Sequence, residues 1–227
     1  MNAHAYELII FDWDGTLMDS AAQIVRCFER AFADAKVPSP GDRAIRHIIG
    51  LGLTEAVAVL LPHADAATRT LVSDRYRGYF MALDTSELPL FTGVREGLQA
   101  LIARGHLLAV ATGKSRRGLD RVLANTGLAD LFVVTRCADE AYSKPHPQML
   151  EDILDRTGMG ASQAIMVGDT TYDLIMARTA GVAGLAVSYG THTRDQLLAE
   201  APLACCDSFD EVHAWLQIEP LTKVARS

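Results

Sequence analysis

The stretch Leu8–Thr16, LIIFDWDGT, decides the fold of this chain. Its first half belongs to an aliphatic and aromatic run over residues 6–11, which is typical of a buried strand. Asp12 and Asp14 follow at the carboxyl end of that strand, where open α/β sheets place their ligands. Two carboxylates this close repel each other, so they need a cation or a shared proton. The pattern therefore predicts a reactive site at the end of the first strand.

Further apolar runs along the chain define the rest of the predicted sheet. They predict strands over residues 107–112, 132–136, 164–168 and 184–189. Helical patterns alternate with them at about 93–104, 115–126, 146–157, 172–180 and 193–200. This alternation predicts right-handed crossovers and a parallel sheet, and near-continuous apolar strands fit a sheet covered on both faces. We therefore predict an α/β fold with a Rossmann-like parallel sheet.

One long segment after the first strand breaks the alternation. It contains only helical patterns, at about residues 19–36, 42–49, 53–61 and 65–83. We interpret residues 18–89 as an all-helical cap domain inserted into a discontinuous core domain made of residues 1–17 and 90–218. A helical lid over the strand ends is one interpretation of the insertion, and a packing layer without motion is the other. Residues 219–227 are predicted to form a C-terminal tail.

The composition is that of an ordinary globular chain with an acidic balance. The net charge is −7, which argues against a nucleic-acid partner but allows a small phosphorylated substrate held through a metal ion. The sequence has no run of about 20 apolar residues and no basic N-terminal region of a signal peptide. The four cysteines form no CxxC pair, which favours thiols in a reducing compartment. We expect a cytoplasmic protein without a membrane partner.

Four more polar residues stand at or near the predicted strand ends. Thr112 closes the second strand, Lys144 lies in the loop after the third, Asp169 closes the fourth and Asp173 follows four residues later. Taken singly, Asp169 also fits a helix N-cap and Asp173 a first-turn acid. Together with Asp12 and Asp14, however, they suit a phosphoryl group held against Mg²⁺, which prefers carboxylate and phosphate oxygens.

This set of residues resembles the haloacid dehalogenase superfamily in its phosphatase branch. The family's four motifs are matched in order by Asp12-Trp13-Asp14-Gly15-Thr16, by Thr112, by Lys144, and by Gly168-Asp169 with Asp173. The resemblance spans residues 6 to about 190, and the helical insertion is similar to the family's C1 cap. The stretches FDWDGTLMDS, IIGLGLTEAV, FTGVREGL, ATGKS and AYSKPHP are most similar to phosphoglycolate phosphatases and their relatives.

The resemblance implies a role for each matched carboxylate. Asp12 would attack phosphorus to form an aspartyl-phosphate, and Asp14 would protonate the leaving alkoxide and then take a proton from the hydrolytic water. Mg²⁺ would be held by Asp12, the backbone carbonyl of Asp14 and Asp169, with Asp173 in support.

The resemblance also implies how the substrate is held. Thr112 and Lys144 would bind the phosphoryl oxygens, helped by backbone N–H groups of Trp13, Asp14 and Gly113, while the side chain of Trp13 points away. In the cap, the segment that dips toward the phosphate would set the substrate, and its candidate residues are Gly50, Leu51, Gly52 and Thr54. An anionic leaving group would need a further cation, for which the candidates are Arg46, Arg116 and Lys114.

We therefore predict a Mg²⁺-dependent phosphatase that hydrolyses a small phosphorylated metabolite. By resemblance 2-phosphoglycolate is one candidate substrate, and a phosphomutase of the β-phosphoglucomutase type or a pyrophosphatase is the alternative. A dehalogenase would need no second aspartate, so Asp14 speaks against it. A non-catalytic binding module would be expected to lack a catalytic position, and none is missing here. We expect a monomer or homodimer.

Overall fold

A six-stranded parallel sheet forms the centre of the protein. The structure, a computed structural model, describes residues 6–83 and 88–218. The strand order is β3-β2-β1-β4-β5-β6, and the strands are β1 (Leu8–Phe11), β2 (Leu107–Thr112), β3 (Val134–Cys137), β4 (Ala164–Gly168), β5 (Ala183–Val187) and β6 (Cys205–Cys206). The predicted α/β class and its parallel sheet are therefore confirmed.

The strand order reverses direction at β1, which has β2 on one side and β4 on the other. Such a switch point opens a crevice at the carboxyl ends of the strands. Phe11 is in register with Val110 of β2 and Val167 of β4, so all three strands end at a similar level. The residues that follow them, among them Asp12 and Asp169, therefore meet in this crevice.

Four helices occupy the chain between β1 and residue 83. They are α1 (Ala21–Ala35), α2 (Asp42–His47), α3 (Leu53–Leu60) and α4 (Ala66–Ala82). Helix α1 buries one apolar face that includes Phe28, whose ring stacks on Tyr76 of α4 at 4.1 Å between centroids. These helices share one continuous apolar cluster with the sheet. The all-helical insertion is observed as expected, whereas its status as a separate domain stays a prediction.

In the described part of the chain, six α-helices accompany the remaining strands. They are α5 (Val94–Ala103), α6 (Arg116–Thr126), α7 (Gln148–Thr157), α8 (Thr171–Thr179), α9 (Arg194–Ala199) and α10 (Phe209–Ile218). They cover the sheet so that every residue of β1 and β4 is buried, which explains why these strands are apolar throughout. None of the helices among the described residues has the length and apolarity needed to cross a bilayer.

Two elements near the C-terminus were not predicted. Strand β6 is only two residues long, and helix α10 follows it directly. Strand β3 also begins at Val134, two residues later than expected, because Phe132 and Val133 lie in a connection that leads into it. The predicted tail over residues 219–227 lies outside the described residues, as do residues 84–87 of the predicted cap.

Candidate active site

Three buried carboxylates meet at the carboxyl ends of β1 and β4. Asp12 follows β1, Asp169 follows β4, and Asp173 lies in the first turn of α8. One oxygen from each lies within 4.8 Å of the others, and all three side chains are buried. The structure therefore brings together the side chains of three of the four aspartates that the sequence assigned to a metal ion.

Lys144 enters the same cluster from the loop after β3. Its Nζ lies 2.8 Å from Asp12 Oδ1 and 2.7 Å from Asp173 Oδ1, and its side chain is fully buried. Burial lowers the pKa of Lys144, but the two carboxylates raise it further, so the net shift is upward. The ammonium therefore stays charged and links two of the three carboxylates.

The cluster keeps an excess of negative charge even with Lys144 in place. Burial, together with Asp173 and Asp169, raises the pKa of Asp12 well above its usual value against the opposing effect of Lys144. Burial and Asp173 raise the pKa of Asp169 to about 6. Asp12 Oδ2 is buried and accepts no hydrogen bond from the described residues. An orphaned buried oxygen beside two more carboxylates fits a cation or an incoming electrophile.

Hydroxyl groups fix the orientation of Asp169. These hydroxyl groups were not predicted from the sequence. Thr16 Oγ1 donates to Asp169 Oδ1 at 2.8 Å, while the backbone N–H and the hydroxyl of Thr191 donate to Oδ2 at 2.9 and 2.8 Å. These hydrogen bonds hold the pKa of Asp169 below the value that burial would give. Gly15 has φ +84°, and a Cβ there would lie 2.2 Å from Asp169 Oδ2, so only glycine fits between the two loops.

Asp173 is held by the start of its own helix. Thr170 caps α8, and its backbone N–H and hydroxyl donate to Asp173 Oδ2 at 3.2 and 2.7 Å. This is a reciprocal capping arrangement, so the spacing of Thr170 and Asp173 was a sequence signal that could have identified Thr170. Asp173 Oδ1 is thereby left to face Lys144.

The side chain of Asp14 lies outside the carboxylate cluster. Its Oδ1 pairs with Lys114 Nζ at 2.9 Å and accepts a short hydrogen bond from the Ser20 hydroxyl. The side chains of Lys114 and Asp14 are 5% and 10% exposed, so the ion pair is nearly buried. Asp14 is thus not one of the three carboxylates that could share a metal ion, and the family resemblance implies its backbone carbonyl rather than its side chain as a ligand.

Thr112 and Trp13 are fully buried beside the site. Thr112 Oγ1 accepts a hydrogen bond from the backbone N–H of Lys114 at 3.2 Å. The indole of Trp13 donates to Met18 Sδ at 3.3 Å and meets the ring of Phe132 edge-on. The side chain of Trp13 therefore points into the core, as expected, and only its backbone is left to contact a substrate.

The predicted cap segment over residues 50–52 lies directly on the strand-end loops. Gly52 donates its backbone N–H to Ser143 Oγ at 2.8 Å. Gly113 approaches the segment so closely that a Cβ would lie 2.6 Å from the carbonyl oxygens of Gly50 and Leu51. Together they enclose a cavity of about 240 Å³, which Asp12, Asp14, Gly113 and residues 48–56 line.

The candidate cations differ in their access to this cavity. Lys114 lines it, whereas Arg46 pairs with Asp42 at 2.8 Å and Arg116 pairs with Glu140 at 2.8 Å, both away from the lining. Of the three candidates, Lys114 is therefore the one that the described cavity lining includes. Arg77 of α4, which the sequence analysis missed, does line the cavity.

Comparisons with known proteins agree with this architecture. A family model described as haloacid dehalogenase-like hydrolase matches residues 9–187. A protein of Dickeya dadantii named "Probable phosphatase IndB" is 40% identical over 220 residues, covering 93% of this chain and 95% of that protein. A phosphoglycolate phosphatase of Colwellia psychrerythraea is 27% identical and covers 93% of this chain and 97% of its own. A solved haloacid dehalogenase-like hydrolase of Streptococcus pneumoniae superposes with a TM-score of 0.82 at 27% identity, covering 94% of this chain and 99% of that one.

Proposed function

The chain belongs to the haloacid dehalogenase-like hydrolases, and from this premise we propose that it hydrolyses a small-molecule phosphomonoester through an aspartyl-phosphate on Asp12, with Mg²⁺ as cofactor. The family resemblance drawn from its motifs is confirmed, and the phosphatases among its relatives support the activity. The observation that carries the proposal is the contact of Lys144 with Asp12 and Asp173 in a buried cluster of three carboxylates.

The residues of the cluster fit Mg²⁺. Three buried carboxylates against one buried ammonium leave a negative surplus that a divalent ion would offset, and Asp12 has an oxygen without a donor. All the available side-chain donors are hard oxygens, which suits Mg²⁺. Asp12, Asp169 and the backbone carbonyl of Asp14 would hold the ion, with Asp173 in support. When bound, the ion would offset charge on the phosphoryl oxygens and orient them toward Asp12.

Asp12 is the nucleophile in this mechanism. An ionised carboxylate needs no base to attack phosphorus. Burial raises the pKa of Asp12, and the Lys144 ammonium opposes that rise, as a bound Mg²⁺ would. Attack breaks the bond between phosphorus and the leaving oxygen and forms the aspartyl-phosphate. Lys144, which contacts Oδ1 of the nucleophile, would then offset charge on the transferred group.

Asp14 moves the protons, and the proton count balances over one cycle. It takes a proton from the water that attacks the aspartyl-phosphate, and the acid so formed protonates the leaving alkoxide of the next substrate. Ser20 and Lys114 hold its Oδ1 in place. Thr112, Gly113 and the backbone of Trp13 would complete the phosphoryl cradle.

The cap contributes the distal wall of the site in this proposal. Gly50, Leu51 and Gly52 lie over the strand ends, and they are the residues by which the cap would contact the substrate. The names of the relatives suggest 2-phosphoglycolate, which keeps that compound among the substrates to be tested. A mutase or a pyrophosphatase would need cations for a second phosphate, and no observation among the described residues favours either.

The test is phosphate release from p-nitrophenyl phosphate by the purified protein. We expect turnover with Mg²⁺, none with EDTA, and recovery when Mg²⁺ is restored. Asp12→Asn should lower kcat by at least about 10³-fold because the nucleophile is lost, while Asp130→Asn, at an exposed position, should leave kcat unchanged. Near wild-type turnover by Asp12→Asn, or turnover independent of Mg²⁺, would refute the proposal.

A further inference from the structure

The part of the cavity beyond the reacting end is largely apolar. Its walls come from α1, from the segment between α2 and α3, and from α4, and they include Ile24, Phe28, Ile49, Leu53, Phe80 and Met81. A leaving group in this space would contact these aliphatic and aromatic side chains. Such walls favour an apolar or ring-shaped group over one that carries its own charge.

Tyr76 places one polar group in this apolar wall. The residue is half-buried, lines the cavity and packs on Phe28 at 4.1 Å between ring centroids. Its hydroxyl makes no hydrogen bond to any residue in the part of the chain that the structure describes, so it is available to a ligand. Burial and the nearby Asp14 raise the pKa of Tyr76, which keeps the hydroxyl protonated and able to donate.

The buried cations of the site are already engaged by carboxylates. Lys144 contacts Asp12 and Asp173, and Lys114 contacts Asp14 at 2.9 Å. The site thus holds two buried lysines against four buried aspartates, the fourth being Asp169. One divalent ion would bring the net charge of these buried groups to zero before the phosphoryl group arrives. No buried cation among the described lining residues is then left for a second anionic group on the substrate.

The mouth of the cavity does not supply that cation either. Arg77 lines it, but this side chain is 56% exposed and pairs with Asp74 at 2.9 Å, so solvent and its partner weaken its pull on an anion. Two exposed acids, Glu55 and Asp139, line the same opening. A carboxylate or second phosphate would therefore enter a space whose fixed charges are mainly negative.

We propose that the site selects phosphomonoesters whose leaving group is uncharged and contains a ring that bears polar atoms. The nucleoside of a nucleoside 5′-monophosphate is such a group, and the Tyr76 hydroxyl binds one of its polar atoms. This inference rests on the proposed phosphatase activity and adds the substrate class. Tyr76 acts here as a specificity residue, since it lines the leaving-group end of the cavity.

The first test compares three substrates that all release a primary alkoxide, so that leaving-group chemistry is matched. They are a nucleoside 5′-monophosphate, benzyl phosphate and 2-phosphoglycolate. We expect kcat/KM to be at least about ten-fold higher for each ring-bearing substrate than for 2-phosphoglycolate. An equal or higher value for 2-phosphoglycolate would overturn the inference and leave the phosphatase activity intact. Failure to hydrolyse even p-nitrophenyl phosphate would instead refute the proposed function.

The second test removes only the hydroxyl. Tyr76→Phe should lower kcat/KM for the nucleoside monophosphate about five-fold, the usual effect of one neutral hydrogen bond, mainly through KM. It should leave benzyl phosphate unchanged, because that ring carries no polar atom. The matched control is Tyr79→Phe on the same helix, whose hydroxyl bonds to Asp34 at the surface. Equal losses for both substrates, or no loss for the nucleoside monophosphate, would overturn the role of Tyr76.

Discussion

Replacing the nucleophile Asp12 by asparagine should make the metal-free protein more stable while abolishing its activity. The side chain is fully buried, lies within 4.8 Å of two other carboxylates and has one oxygen without a donor. An asparagine of the same shape keeps an oxygen for Lys144 and turns an amide toward the neighbouring carboxylates. Sites that carry chemistry commonly hold such strain, and its removal trades function for stability.

The magnitude follows from the distances. The carboxylate oxygens lie no more than 4.8 Å apart, so at an effective dielectric constant of 20 each pair repels by at least about 3.5 kcal/mol. Lys144 at 2.8 Å attracts by about 6 kcal/mol. Two such repulsions against one attraction leave a net repulsion of at least about 1 kcal/mol. Desolvation, the largest cause of the raised pKa of Asp12, adds to this cost. We expect Asp12→Asn to raise the free energy of unfolding by about 2 kcal/mol.

The assay is thermal unfolding at pH 7.5 in EDTA. A gain of about 2 kcal/mol corresponds to a rise in Tm of about 4–8 °C for a chain of this size. In Mg²⁺ the wild type should gain stability by binding the ion, by about 2.7 kcal/mol at one hundred times Kd. Asp12→Asn should gain less, because it lacks one of the ligands, so Mg²⁺ should narrow the difference in Tm between the two proteins.

The control is the other aspartate of the motif. Asp14→Asn leaves Lys114 nearly buried without its counter-ion, which should cost about 3 kcal/mol and lower Tm. The two neighbouring substitutions therefore have opposite signs. A Tm for Asp12→Asn in EDTA that is equal to or below that of the wild type would refute the electrostatic reasoning.

Two further predictions concern the pH dependence of stability and the contact between Gly113 and the cap segment. Burial and a neighbouring carboxylate raise the pKa of Asp169 from 3.8 to about 6, so the folded metal-free protein holds this proton more tightly than the unfolded chain. The stability of the wild type relative to Asp169→Asn should therefore fall by up to about 3 kcal/mol as the pH rises from about 4 to about 6. Urea unfolding in EDTA measures this, and a rise in relative stability over that pH range would contradict the prediction. Gly113→Ala should raise KM for p-nitrophenyl phosphate about ten-fold and cost about 1–3 kcal/mol, because its Cβ would meet two carbonyl oxygens at 2.6 Å. Gly78→Ala, which meets nothing within 4 Å in α4, should stabilise by about 0.5–1 kcal/mol and leave KM unchanged.

The sequence was sufficient to predict the central strands but not the strand at the C-terminal edge of the sheet. Strands such as β4 are buried on both faces, so their composition alone marks them. Strand β6 has two residues, too few to show any periodicity. Helix α10 carried a usable signal in Phe209, Val212 and Leu216, which share one buried face, with Ser208 accepting from the backbone of Glu211 at its start.

The predicted site residues differ from the missed ones in what determines their position. Asp12 and Asp169 follow β1 and β4 directly, so the parallel order brings them to one edge of the sheet. Lys144 lies in a longer loop after β3, and it was predicted from its match to a family motif. Thr191 reaches Asp169 from a loop after β5, and Tyr76 reaches the cavity from the middle of α4. The directions of the Thr191 and Tyr76 side chains depend on how loops and helices pack, and no local sequence pattern predicts that packing.

Asp12 and Asp14 show how tertiary structure separates two carboxylates that the sequence places close together. In an extended strand, residues two apart point to the same face, so Asp12 and Asp14 would compete for one cation or one proton. The chain instead turns after Phe11, and the buried indole of Trp13 fixes that turn against Met18. The two carboxylates therefore diverge, and each has its own lysine. Because their partners are separate, one can carry the phosphoryl group while the other exchanges protons with the leaving group and with water.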